Sequence, residues 1–139
     1  MNKTKLAEQL KKHEGLRLKP YTDTVGKLTL GIGRNLEDKG ITEQEALFML
    51  NSDVDYFYDK LRSRINWFWA INDARQNALV NMAFNLGIGG LLTFKKTLAL
   101  IGEAKYELAA KEMLNSKWAK QVGYRAEELA EQMRTGDFK

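Results

Sequence analysis

The chain has 139 residues, 44% hydrophobic and 29% charged, with a net charge of +4: too apolar for a disordered protein, too polar for a membrane protein, and the right length for one folded domain. It has no cysteine and one histidine, His13, which excludes disulfides, thiolate metal sites and thiol nucleophiles and leaves carboxylates, hydroxyls, Lys and Arg to do any chemistry. Residues 1–19 sum to +4, residues 20–90 to −2 and residues 91–139 to +2, so the basic excess lies toward the two ends and suits a polyanionic partner, whether nucleic acid, membrane surface or cell wall.

Residues 3–13 read as an amphipathic helix with Leu6, Ala7 and Leu10 on one face and Lys3, Lys5, Lys11 and Lys12 elsewhere, stopped by Gly15. The period then changes. Leu16 and Leu18 alternate with Arg17 and Lys19, and Leu28, Leu30 and Ile32 alternate with Thr29, Gly31 and Gly33, predicting a small antiparallel sheet with Pro20 to Gly26 as its connection. The Leu28, Leu30 and Ile32 face is expected to be buried, which puts Thr29, Gly31 and Gly33 on an opposite face that another group can approach closely. Thr42 to Glu45 is a capping box, and the apolar positions Ala46, Leu47, Leu50, Val54, Phe57, Tyr58, Leu61 and Ile65 predict a helix over 43–65, about 35 Å long at 1.5 Å per residue. Trp67, Phe68 and Trp69 form an aromatic knot, and a buried helix over 73–86, capped by Asn72 or Asp73, ends at Gly87. Three further helices are expected at about 94–101, 103–115 and 124–134, with Gly102, Gly123 and Gly136 as punctuation. No apolar run precedes Glu14 and no stretch approaches a membrane span, so the expectation is a chain without a signal peptide, cytoplasmic on synthesis.

The polar residues between Glu14 and Thr29 stand out. Glu14 closes the first helix, where the helix dipole gives a carboxylate no support; Asp23 follows nine residues later in the connection and Thr29 six later on the second strand. Two carboxyls flanking a groove, one protonated and one ionised, are what hydrolysis of a glycosidic bond needs. Taken singly, each also has an ordinary explanation: a solvated helix end, a turn-supporting Asp, a strand-favouring Thr. The residue types alone leave both readings open.

The stretch Glu14 to Gly33 closely resembles the active-site region of the phage-type lysozymes, the endolysins of T-even and lambdoid-like phages. Shared are Glu, eight residues, Asp, five residues, Thr, set in a Glu-Gly-Leu and Thr-x-Gly-Ile-Gly frame. The likeness continues through Asn51 to Asp55, Ala78 to Gly87, Phe94, Ser116 to Trp118, Arg125-Ala126 and Arg134 to Gly136, essentially the whole chain. It implies an α+β fold of two lobes, mostly helical: a small lobe with an antiparallel sheet at about 13–42, an interlobe helix at 43–65, and a helical lobe of 66–139 joined by 1–12, with the cleft between the lobes. It also implies a muramidase, cutting the β-1,4 bond between N-acetylmuramic acid and N-acetylglucosamine of peptidoglycan with inversion. Glu14 would be the general acid, Asp23 the carboxylate that activates water or stabilises the cation, and Thr29 a holder of that water. Asn81, Phe84, Asn85 and Thr97 match positions that face substrate, and Arg125 matches an Arg that pairs with the catalytic Glu.

Three positions depart from the family pattern. Arg34, followed by Asn35, stands where T-even members carry a histidine, so that histidine's ion pair is missing; the segment from Gly33 to the long helix is shorter; and Glu112 replaces an amide-type residue implicated in sugar contact. His13 is read as a surface residue. The implied enzyme needs no cofactor and no metal, acts as a monomer on peptidoglycan without nucleic acid, and reaches the wall through a holin-type membrane partner. The competing readings are a lytic transglycosylase, which needs the acid alone, a catalytically idle wall-binding module of the same fold, and a small basic nucleic-acid binder. Asp23 argues against the first, the complete Glu14, Asp23 and Thr29 set against the second, and the core-like setting of Trp67, Phe68 and Trp69 against the third.

Overall fold

A computed structural model describes all residues, Met1–Lys139. It is 69% helical, with eight helices and one three-stranded antiparallel sheet. The chain divides into two units, Met1–Met49 and Leu50–Lys139.

In the first unit, α1 (Lys3–Glu14) starts at Asn2, whose side chain accepts a hydrogen bond from the Lys5 backbone N–H, and ends where the Gly15 N–H donates to the Lys11 carbonyl. None of its residues is buried, so the face of Leu6, Ala7 and Leu10 remains at least partly exposed. The sheet runs β1 (Arg17–Thr22), β2 (Leu28–Gly31), β3 (Arg34–Asn35), in that order. The connection is shorter than expected, because Pro20 lies inside β1. An edge strand tolerates a residue without an N–H, and the register is irregular between Arg17 and Tyr21, where Pro20 sits. The short helix α2 (Leu36–Lys39) follows, capped by Asn35, whose Oδ1 accepts from the Asp38 N–H.

The burial of β2 differs from the expectation at Thr29 and Leu28, while Leu30 and Gly31 are both half-buried. Thr29 is only 3% exposed, whereas Leu28 and Ile32 are each 43% exposed. Alternation identifies two faces but not which one is covered. Here the apolar face is not sealed: Leu30 and Ile32 border an open groove of about 510 Å³ with Leu16, Leu36, Ile41, Phe48 and Met49. Thr29 instead lies between Tyr21 on β1 and Asn35 on β3.

The helix α3 (Glu43–Arg64) begins with both halves of the capping box formed: Thr42 Oγ1 accepts from the Glu45 N–H at 3.1 Å, and Glu45 Oε1 accepts from the Thr42 N–H at 2.9 Å. Its expected apolar face is buried only toward the C-terminal end, at Leu61 and at Ile65 just beyond; Leu47, Leu50 and Val54 are exposed.

The second unit carries the hydrophobic core. The aromatic knot separates there: Phe68 is fully buried in a single 3-10 turn, while Trp69 is 70% exposed. The central helix α4 (Asp73–Leu92), capped by Asn72, is interrupted at Gly87, whose φ of 78° is outside the helical range. Ala74, Ala78, Leu79, Met82 and Ala83 precede the break on its buried side, and Leu91 follows it. The remaining helices are α5 (Lys95–Gly102), α6 (Tyr106–Leu114), α7 (Lys117–Val122) and α8 (Tyr124–Thr135); α8 packs against α4, α6 and α7, and α6 also against α5. Ala109 and Ala110 of α6 and Ala126 and Ala130 of α8 are buried small residues that let these two helices approach closely. Fully buried Leu79, Leu91, Ile101, Met113 and Met133 each contribute about 1.5–3 kcal/mol by removal from water.

Bounds change at α4, which runs on past Gly87 to Leu92, and at α6, and α2 and α7 are additional helices. The helix expected from 103 starts at Tyr106, because Ala104 turns with φ 59°. The helix α7 was not anticipated, although its signals are local: Ser116 Oγ accepts from the Ala119 N–H at 3.1 Å, and Gly123 follows its end. No single helix is long and apolar enough to cross a membrane.

Candidate active site

Glu14, Asp23 and Thr29 all belong to the first unit. Glu14 ends α1, and its carboxylate lies directly over Gly33: a β-carbon built on Gly33 would fall 2.9 Å from Glu14 Oε2 and 3.0 Å from Glu14 Cδ. Only a residue without a side chain leaves the carboxyl there, and the φ of +71° at Gly33 makes the same demand. The close approach expected over the glycines of this segment is therefore made at Gly33 by the chain's own Glu14. The carboxylate borders an open hollow of about 410 Å³ with Ala7, Leu10 and Ile32.

Asp23 opens the turn between β1 and β2. Its Oδ1 accepts from the Val25 N–H at 2.9 Å and the Lys27 N–H at 2.8 Å, and its own N–H donates to the Lys27 carbonyl at 2.9 Å. The turn-supporting role of an Asp is thus present, and it occupies one carboxylate oxygen; Oδ2 makes no hydrogen bond within the protein. Thr29 Oγ1 donates to the same Lys27 carbonyl at 2.9 Å, which commits its proton and leaves its oxygen as an acceptor. The backbone of one residue, Lys27, thereby engages both: its N–H holds Asp23 Oδ1 and its carbonyl holds the Asp23 N–H and the Thr29 hydroxyl.

Arg34 makes an ion pair of its own. Its guanidinium grips Glu45 in a fork, Nη1 to Oε1 at 2.8 Å and Nη2 to Oε2 at 2.7 Å, and Nη1 also donates to the Gly40 carbonyl. This hydrogen-bonded pairing, with the Thr42 N–H, holds the Glu45 carboxyl down to about 2 from its ordinary 4.5. The spacing of 11 residues between the partners left no local trace in the sequence. His13 is exposed on α1.

In the second unit, Asn81 and Arg125 are brought together. Asn81 Oδ1 accepts from Arg125 Nε at 2.9 Å and from Nη2 at 2.7 Å. Both line an open pocket of about 330 Å³ with Leu50, Val54, Asn77, Val80 and Phe84. Phe84 is 42% exposed, with its ring 5.6 Å from that of Phe57, so it is not ordinary core packing. Asn85 accepts from the indole N–H of buried Trp118 at 2.8 Å, an anchoring role that its position among substrate-facing matches did not disclose. Thr97 is 4% exposed and borders another hollow, of about 460 Å³, together with Lys96, Glu112, Ser116 and Gln121. There Glu112 is paired with Lys96 at 3.0 Å. No group of three or more His, Asp or Glu side chains is placed to hold a metal ion.

The family model described as Phage lysozyme matches residues 11–134. A relative from Dictyostelium discoideum, Probable T4-type lysozyme 1, is 30% identical over 160 aligned residues that cover 94% of each chain. The Pre-baseplate central spike protein Gp5 of Enterobacteria phage T4 is 32% identical over 161 residues, 96% of this chain but 28% of the spike protein. The Endolysin of Acyrthosiphon pisum secondary endosymbiont phage 1 is 30% identical over 115 residues, covering 80% of this chain and 75% of its own. With the family pattern matched across nearly its whole length, on a mostly helical fold with one small antiparallel sheet, this chain belongs to the phage lysozyme family of glycoside hydrolases.

Proposed function

We propose that the protein is an endolysin-type muramidase that hydrolyses the β-1,4 bond between N-acetylmuramic acid and N-acetylglucosamine of peptidoglycan, with inversion. Relatives named as endolysins support peptidoglycan as the substrate and host lysis as the role. The observation that carries the mechanism is the backbone of Lys27, whose N–H engages Asp23 by one oxygen only and whose carbonyl takes the Thr29 proton and leaves that hydroxyl an acceptor. A water donating to Asp23 Oδ2 and Thr29 Oγ1 would be oriented with a lone pair free for attack at the anomeric carbon. Asp23 takes the proton of that water as the C–O bond forms, while Glu14 protonates the leaving oxygen as the glycosidic bond breaks. The two protons are then exchanged back through solvent.

Phe84 offers an apolar face to a sugar ring, and Asn81, Asn85, Thr97 and Arg125 supply polar contacts to the glycan. The protein acts as a monomer, is made in the host cytoplasm, and reaches the wall after a holin-type partner breaches the membrane. The test is a digest of purified murein analysed by mass spectrometry and NMR. Reducing muramyl ends with α-configured first product are expected; anhydro-muramyl ends would make the enzyme a lytic transglycosylase, and a β-configured first product would exclude inversion. Permeabilised Gram-negative cells should be cleared by the wild type and not by Glu14→Gln; equal clearing would remove Glu14 as the acid.

A further inference from the structure

The turn that carries Asp23 has little apolar packing of its own: Val25 at its tip is 76% exposed. What holds it is polar and comes from α2. Lys27 Nζ lies 3.2 Å from Asp38 Oδ1 and 3.5 Å from Glu37 Oε2. Glu37 Oε1 also accepts from the Leu28 N–H at 3.4 Å, and Asp38 Oδ2 accepts from Asn35 Nδ2 at 3.0 Å. Asn35 in turn pairs with Thr29 across β2 and β3. Residues 27 to 29 are thus gripped from both sides, by Asp23 in the turn and by the carboxylates of α2. At the centre of this ring is the Lys27 backbone, whose N–H holds Asp23 Oδ1 and whose carbonyl holds the Thr29 hydroxyl.

We propose that Lys27 is a positioning residue for glycoside hydrolysis: its ammonium, held by Glu37 and Asp38, fixes the Lys27 backbone, whose N–H and carbonyl hold Asp23 and Thr29. The inference rests on the reading of Asp23 and Thr29 as the water-activating pair. Because the three charged groups are largely solvated, the clamp adds little to global stability. Its effect is on the placement of two side chains, where shifts of a fraction of an ångström are costly on the scale of ~10²-fold per ångström.

The test compares wild type, Lys27→Met, Lys27→Arg and Glu37→Gln with Asp38→Asn on soluble glycan strands, with amide hydrogen exchange as a second readout. Lys27→Met and the carboxylate double variant should each lower kcat about tenfold with KM within twofold, on the same placement scale. Melting temperature should stay within a few degrees, and Lys27 and Val25 amide exchange should accelerate in both; Lys27→Arg should restore both kcat and protection. Unchanged kcat in Lys27→Met beside an inactive Asp23→Asn would overturn the clamp alone. An active Asp23→Asn would overturn the underlying reading, whatever the exchange shows. A loss in kcat that Lys27→Arg does not rescue, or a collapse in melting temperature in both variants, would also overturn the positioning role.

Discussion

Replacing Gly33 with alanine separates backbone strain from displacement of the Glu14 carboxyl. The φ of +71° costs an L-residue about 1–2 kcal/mol. The new β-carbon would lie 2.9 Å from Glu14 Oε2, where ordinary contact begins at 3.4 Å, so the carboxyl must retreat by about 0.5 Å. Glu14 is exposed at a helix end, so its side chain moves rather than the backbone, and the contact adds little to the stability loss. A loss of ~1 kcal/mol lowers the melting temperature by roughly 3–6 °C in a chain of this size. The displaced acid should lower kcat about tenfold, given that ~1 Å of misplacement costs ~10²-fold. Gly31→Ala is the control, because Gly31 has nearly the same φ, +73°, with nothing within 4 Å of the added carbon. Thermal melts and murein turnover on both variants check the reasoning: equal melting losses with an activity loss confined to Gly33→Ala are expected. Equal activity in the two variants would refute it.

Asp23→Asn keeps an oxygen acceptor for the Val25 and Lys27 N–H groups, so it should melt within a few degrees of wild type while losing more than ~10²-fold in turnover; Asp23→Ala gives up both bonds, one exposed and one part-buried, and should lose a further ~0.5–1.5 kcal/mol in urea unfolding. The Glu45 carboxyl is held at about 2 in the folded state against 4.5 when free, so its pairing with Arg34 stabilises fully above pH 4.5 and is lost as pH falls toward 2. The melting difference between wild type and Arg34→Gln should therefore shrink across that window, and a difference unchanged from pH 6 to pH 2 would contradict the pairing. Asn85→Ala leaves the indole N–H of buried Trp118 without its acceptor and should cost ~1–3 kcal/mol by urea unfolding, whereas Asn85→Asp, which retains an oxygen, should cost less.

Much of this protein is determined by short-range chemistry that the sequence carries openly. The Thr42–Glu45 box, the Asn72 cap and the break at Gly87 all appear where their residues predict, because each depends on hydrogen bonds or dihedral angles within a few residues. The motif from Glu14 to Gly33 likewise identified the family, and the structure gathers Asp23 and Thr29 on the backbone of one residue, Lys27, and seats Glu14 over Gly33. Tertiary structure decided what lies on top of what. Alternation could not say that Thr29 would be the covered residue of β2, nor helical spacing that α3 would bury its apolar face only near Leu61. The Arg34–Glu45 fork, the grip of α2 on Lys27 and the engagement of Asn85 by Trp118 join residues 10 to 33 positions apart. Such pairs form only when folding brings the partners within reach, since neither residue's type nor its neighbours encode the distance to the other.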